Sequence, residues 1–234
     1  MTFEITKHKN ILIKILKNIY TDPTIGPVLG FKGGTAAYLF YGLNRFSVDL
    51  DFDLLDESKE DYVFEKIEKI IKEFGVIKEK YKKQHTLFFI LSYTEETPNV
   101  PNIKVEISRR NFGSGYELKN YLGISMLVMI KEDMFAHKLV AMHERLGRTN
   151  RDIFDVWFFL QKDWLINKEI VEKRTGMHLK EFLQKSIDAL EKMSNTGILA
   201  GIGDLLDTKQ KVWAKANLKK DVLFLLKVKL ESLK

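Results

Sequence analysis

The chain has 234 residues and no cysteine, which excludes disulfides, thiolate metal sites and thiol chemistry and makes the cytoplasm the expected compartment. Its 45% hydrophobic and 12% aromatic content is that of a folded protein with a sizeable core, not of a disordered one. Thirty-eight Lys and Arg against 32 Asp and Glu leave a net charge of +6 and a pI near 9.2, compatible with a polyanionic partner but better explained by a lysine-rich solvated surface, so charge alone assigns nothing.

The N-terminal stretch MTFEITKHKN lacks the long apolar core of a signal peptide, and no apolar run approaches the ~20 residues that span a bilayer. A soluble protein without a membrane segment is expected. Ile5, Ile11, Leu12, Ile15, Leu16 and Ile19 lie at helical spacing and predict an amphipathic helix over 3–20, broken by Asp22-Pro23 and Gly26-Pro27. VLGFKGG reads as a short strand ending in a glycine turn, and TAAYLFYGL as a helix closed near Gly42 and Asn44. SVDLDFDLL alternates polar and apolar as a strand, and ESKEDYVFEKIEKIIKEFG is an amphipathic helix stopped by Gly75. VIKEKYKKQ, HTLFFILSYT and NIKVEISRR predict three further strands, the last two separated by a polar turn with Pro98 and Pro101. Helices are expected over 131–145, 151–162, 178–193 and 219–233. The pattern is that of an α+β protein: a mixed sheet flanked by helices over 1–128, then a helical C-terminal part over 129–234.

The aspartates carry the first chemical signal. On a strand, Asp49, Asp51 and Asp53 share one face while Leu50, Phe52 and Leu54 share the other. Like charges so close need neutralising, which a divalent cation such as Mg²⁺ does well; an edge strand with its acids in water is the alternative. Upstream, Gly33-Gly34-Thr35 sits between a predicted strand and a predicted helix, where bare backbone N–H groups and a hydroxyl can hold a phosphate, or where the three form only a turn and a helix cap. In NIKVEISRR, Glu106 shares a face with Lys104 and Ser108, so it joins the acidic face if this strand neighbours the first; cross-strand pairing with a lysine is the other reading. Two aspartates and a further carboxylate are what two-metal phosphoryl transfer requires.

Farther along, Lys138 lies among Met134, Phe135, Ala141 and Met142 on one predicted helix, and a lysine in an apolar stripe needs a counter-charge. It either reaches a triphosphate or forms a structural ion pair. Asp152 and Asp155 stand three apart on a helix with little other polar surface; Asp152 suits the helix start and Asp155 suits a pair with Arg151. The histidines have no metal-ligand spacing and are assigned no role.

Taken together, a Gly-Gly-Thr strand-to-helix turn, Asp-x-Asp on the next strand and a later strand carboxylate resemble the nucleotidyltransferase (DNA polymerase β-like) superfamily. KGGTAAYLFYGLNRFSVDLDFDL, with the Lys and Arg-Asp-x-x-Asp of MFAHKLVAMHERLGRTNRDIFDVWFFL, is similar to the AbiEii toxin branch, the nucleotidyltransferase component of type IV abortive-infection toxin–antitoxin systems. The resemblance implies an Arg-x-Ser-x-Asp-x-Asp frame on Arg45, Ser47, Asp49 and Asp51, with Asp49, Asp51 and, by a looser match, Glu106 as catalytic metal ligands. Asp53 then falls outside the frame, held by neighbours or in water. It further implies nucleotide binding by Gly33, Gly34, Thr35, Arg45 and Ser47, and roles in catalysis or nucleotide binding for Lys138 and Asp152. The implied reaction uses an NTP with Mg²⁺ or Mn²⁺, transfers NMP to an acceptor hydroxyl, plausibly of tRNA or another RNA, and releases pyrophosphate; a separately encoded antitoxin is the implied partner. A small-molecule or protein acceptor and a non-catalytic nucleotide- or RNA-binding relative are the rival readings. A haloacid dehalogenase-type phosphatase would use Asp-x-Asp but has no purpose for the glycine turn.

Overall fold

A computed structural model describes residues 5–93 and 102–233. The chain forms two compact units, one of residues 1–42, 46–111 and 115–129, the other of 43–45, 112–114 and 130–234. The expected turn with Pro98 and Pro101 lies outside the described residues.

In the first unit α1 (Ile5–Thr21) buries the stripe His8, Leu12, Ile15, Leu16 and Ile19. β1 (Leu29–Lys32) runs straight into α2 (Gly33–Phe40), and β2 (Leu50–Leu54) pairs antiparallel with β1. α3 (Glu60–Lys72) buries Val63, Ile67, Ile70 and Ile71. β3 (Val76–Lys83), β4 (Thr86–Ser92) and β5 (Ile103–Ser108) pair antiparallel in succession, and β6 (Tyr116–Tyr121) and β7 (Ile124–Met129) form a hairpin. All belong to a seven-stranded mixed sheet of order β3-β4-β5-β2-β1-β7-β6, parallel at β2–β5 and at β1–β7.

Side-chain alternation sorts this sheet into two unlike faces. Leu50, Phe52, Leu87, Phe89, Ile103, Val105 and Ile107 are fully buried on the face that α1 and α3 cover, where Tyr20 meets Phe52 and Phe64 meets Phe89. Each such side chain contributes roughly 1.5–3 kcal/mol by leaving water, so this face determines which way the strands turn. The residues between them, Asp51, Lys104, Glu106 and Ser108, are therefore turned to the opposite face and remain half-exposed. At one edge β3 presents Lys78, Lys80, Lys82 and Lys83, charges that oppose pairing with a further strand.

In the second unit α4 (Lys131–Arg145), α5 (Arg151–Gln161), α6 (Lys168–Thr175), α7 (Leu179–Lys192) and α8 (Thr208–Glu231) pack on one another, α5 against both α4 and α8. Every residue of α5 from Asp152 to Leu160 is buried, with Trp157 against Trp213 at 4.2 Å and Phe159 stacked on Trp164 at 4.3 Å. The helices expected over 131–145, 151–162 and 178–193 are present, and the one expected over 219–233 is the second half of a longer helix. That helix starts at Thr208 because Asp207 and Gln210 close a reciprocal capping box there.

Candidate active site

The site starts from the junction of β1 and α2. Gly33 opens the helix at φ +79°, and a Cβ there would stand 2.4 Å from Asp51 Oδ2, so a bare backbone is what lets that carboxylate lie against the turn. Gly34 and Thr35 are buried behind it. The Thr35 hydroxyl donates to the Asp49 carbonyl oxygen, which ties the glycine turn to the residue just before β2. Gly33→Ala is expected to destabilise the protein by about 1–3 kcal/mol, from the left-handed backbone and the clash, and to displace Asp51. Thermal melting and NTP turnover measured on the same preparation check this; no change in either would mean that the turn has room to relax.

β2 and β5 are neighbours although two strands separate them in sequence, and their parallel register sets Asp51 beside Glu106. The same face of β5 carries Lys104, whose Nζ stands 3.3 Å from Asp51 Oδ1 and 2.9 Å from Glu106 Oε2. Burial opposes the ammonium charge, but the carboxylates of Asp51, Glu106 and Asp49 outweigh it and raise the Lys104 pKa above its ordinary value. Lys104 is thus a fixed cation among the acids. Glu106 joins the acidic face, and the lysine it pairs with is Lys104 of its own strand, not one on a neighbouring strand as a cross-strand pair would require.

Among the described residues no three His, Asp or Glu side chains stand in ion-holding geometry, and Lys104 stands against both Asp51 and Glu106. The donor set nevertheless fits a hard divalent ion in kind. Its ligands are carboxylate oxygens only, Asp51 and Glu106 are 26% and 36% exposed at their side chains, they already gather round a cation, and Gly33 keeps the space beside Asp51 clear of a side chain.

Asp53 has a different environment. It is 7% exposed, so it is not the water-exposed acid that is one expectation for a residue outside the frame, and Lys32 Nζ and the Tyr116 hydroxyl each reach it at 2.5 Å. Tyr116 can do so only because Gly30, beneath its ring, has no side chain. Ser47 is buried in the segment leading into β2.

His8 was invisible as a site residue in sequence, though it shares the buried stripe of α1 with Leu12, Ile15 and Ile19. It sits 2.7 Å from the Tyr93 hydroxyl and 2.9 Å from the Val48 carbonyl oxygen. Burial lowers its pKa despite the Val48 bond, so a neutral ring anchors the backbone one residue before Asp49.

The second unit holds its own charge cluster. Asp155 is fully buried and receives Arg45 through Nε at 2.6 Å and Nη2 at 2.7 Å, while Lys138 Nζ bridges Asp155 at 2.7 Å and Asp152 at 2.8 Å. Arg145 reaches the other oxygen of Asp152 at 3.2 Å. The counter-charge that Lys138 requires is therefore supplied by two aspartates, and Asp155 pairs with Arg45 and Lys138. Desolvation alone would raise the Asp155 pKa, but Arg45 and Lys138 hold it down at about 2. Asp152 is likewise lowered, by Lys138 and Arg145 against burial and the neighbouring Asp155.

A family model described as nucleotidyl transferase AbiEii toxin, type IV TA system, matches residues 14–210. Among solved structures, a Helicobacter pylori protein assigned as a nucleotidyltransferase aligns with a TM-score of 0.61 at 21% identity, over 100% of this chain and 99% of that one. JHP933 from Helicobacter pylori aligns with a TM-score of 0.56 at 21% identity, over 98% of this chain and 96% of that one. MenT4, a nucleotidyltransferase toxin from Mycobacterium tuberculosis, aligns with a TM-score of 0.58 at 18% identity, over 92% of this chain and 82% of that one. At such identities these likenesses establish the fold. No curated protein sequence matches the chain.

Proposed function

Because this chain belongs to the AbiEii family of nucleotidyltransferase toxins, we propose that it transfers a nucleoside monophosphate from a metal-bound NTP to a hydroxyl of RNA, with tRNA among the candidate acceptors, and releases pyrophosphate. The observation that carries this reading is the pairing of Asp51 with Glu106 on adjacent parallel strands, with the Asp51 carboxylate lying against the bare backbone of Gly33. Asp49 and Asp51, with Glu106, would hold Mg²⁺ or Mn²⁺. The chemistry such ions supply is polarisation of the reacting phosphate and neutralisation of the leaving pyrophosphate. Glu106 accepts the proton of the attacking hydroxyl, and the N–H groups of Gly33 and Gly34 donate to the triphosphate. Lys104 keeps the carboxylates together until the nucleotide arrives.

Lys138 and Asp152 enter this proposal through the family's second motif, as the helical unit's contribution to nucleotide binding or turnover, and Arg45 as the residue that orders their neighbour Asp155. Lys138→Met keeps the stem and removes the charge. It is expected to lower thermal stability, since two buried aspartates lose a partner, and also to reduce NTP turnover by about tenfold or more, the loss of a charge-assisted contact worth roughly 1.5–3 kcal/mol. Melting temperature and turnover are read together, and a destabilised but fully active variant would remove Lys138 from the site.

The family's type IV toxin–antitoxin membership implies an antitoxin partner. A cytoplasmic setting, where NTPs and RNA are both found, is supported by the cysteine-free composition. Among the described residues no helix is long and apolar enough to cross a membrane. The reading is tested by incubating the protein with each α-labelled NTP, total cellular RNA and Mg²⁺. Labelled RNA that disappears with EDTA and with Asp51→Asn is the expected result; label on a protein or small molecule would replace the acceptor, and no label with any NTP would overturn the transfer.

A further inference from the structure

The carboxylate face of the sheet does not stop at Glu106. Across the next two strands the register continues from Glu106 to Phe88 on β4 and from Phe88 to Tyr81 on β3, so these residues form one row on one face. The rings of Phe88 and Tyr81 are stacked, with centroids 4.5 Å apart and planes 8° from parallel. That separation is close to the gap between neighbouring strands, so the rings stand face to face across it. The second face of Phe88 is thereby turned toward the Glu106 side chain one strand away, so it is the ring edges of the pair that point away from the sheet. Lys83 Nζ lies over the Tyr81 ring at 4.5 Å. Leu87 and Phe89, the sequence neighbours of Phe88, are fully buried on the opposite, helix-covered face, whereas Phe88 and Tyr81 are half-exposed.

An aromatic pair left half-exposed beside a reacting centre, with a lysine at its outer end, suits a ligand that has both a flat π-face and a negative backbone. A single-stranded polynucleotide has both. We propose that Phe88, Tyr81 and Lys83 form the acceptor subsite, which seats the flat face of the nucleobase at a single-stranded RNA end across the outward edges of the Phe88 and Tyr81 rings and attracts the adjoining phosphates through Lys83. This rests on the nucleotidyl-transfer reading above and goes on to identify the surface that selects the acceptor. The nucleobase is assigned to the acceptor rather than to the NTP by the order of the row: β1, which leads into the triphosphate turn, and β2 lie on one side of Glu106, and the aromatic pair lies on the other.

Phe88→Leu and Tyr81→Leu keep apolar bulk and remove the ring. Binding of a fluorescent single-stranded oligoribonucleotide, binding of a blunt RNA duplex, NTP affinity and melting temperature are measured on the wild type and both variants. The expected result is about a tenfold weaker Kd for the single strand in Phe88→Leu, a smaller loss in Tyr81→Leu, and loss of the wild-type preference for single strand over duplex, with NTP affinity unchanged and the melting temperature lowered by no more than a few degrees. RNA binding within twofold of wild type in both variants, while the wild type labels RNA, would overturn the subsite and leave the transfer reading standing. A fall in NTP affinity with unchanged RNA binding would overturn the assignment to the acceptor. A wild type that transfers NMP but binds no RNA would overturn both the RNA acceptor and this subsite.

Discussion

Asp51→Asn is expected to abolish nucleotidyl transfer, with a loss of about a thousandfold or more, in a protein that stays folded. The substitution removes one charge from the group that would hold the metal, and polarisation by a catalytic ion is worth several kcal/mol of barrier, at about 1.4 kcal/mol per factor of ten. The fold tolerates it because Lys104 keeps Glu106 as a partner and Asp51 is not part of the core. Asp49→Asn is expected to behave alike. Asp53→Asn behaves in the opposite way: its carboxylate is buried between Lys32 and Tyr116, so the change lowers stability by roughly 1–3 kcal/mol and leaves a substantial part of the turnover. Label transfer and thermal melting on the three variants separate the cases. An Asp53 variant with normal melting and no activity would mean that the reacting pair is shifted one step along the strand. In cells, growth inhibition by the chain expressed without its antitoxin should disappear with Asp51→Asn at equal protein levels.

The largest stability effect is expected at the Arg45–Asp155 pair. Both side chains are almost completely buried and joined by two short hydrogen bonds, so truncating either takes a two-bond partner away from a desolvated charge in the helical unit. Arg45→Met or Asp155→Asn is expected to cost about 3–5 kcal/mol, which for a chain of this size lowers the melting temperature by roughly 10 °C. The double variant Arg45→Met/Asp155→Leu should recover much of that loss, because it removes both desolvated charges together. The pH dependence follows from the sign of the shift. Asp155 has a folded pKa of about 2, below its unfolded value of about 3.9. Its contribution to stability is therefore complete above pH ~4 and is lost as pH falls toward 2. Denaturant midpoints measured from pH 5 to 2 should fall more steeply in the wild type than in the double variant. Parallel curves would show that this pair does not govern acid sensitivity.

Much of the fold was legible because it rests on local patterns. The stripe of α1, the alternation of β4 and β5, the helices α4, α5 and α7 and the glycine turn are each defined by residues within a few positions of one another. The hairpin β6–β7 is not legible in the sequence because its turn is Leu122-Gly123, with both residues at positive φ, in place of the usual Asn-Gly or Asp-Gly. Leu122 at φ 51° is a conformation that sequence does not advertise. α6 buries only Ile170 and Val171, too little for a periodic signal, and the early start of α8 was marked by a capping box, Asp207 to Gln210, rather than by hydrophobic spacing.

The site divides along the same line. By itself the sequence determined which residue types lie on one strand face, that Gly33 and Gly34 stand where a strand gives way to a helix, and that the chain carries two family motifs in order. Only the tertiary structure decided that β5 lies beside β2 in the register that pairs Asp51 with Glu106, that Lys104 enters between them, and that Asp53 is held by Lys32 and Tyr116. It also decided that Arg45 reaches Asp155 across 110 positions of chain. The physical reason is that face and turn follow from steric rules acting on near neighbours, whereas strand order and ion pairing come from burying apolar surface contributed by distant segments. The partner of a charge is then whichever opposite charge the packed core has carried to it.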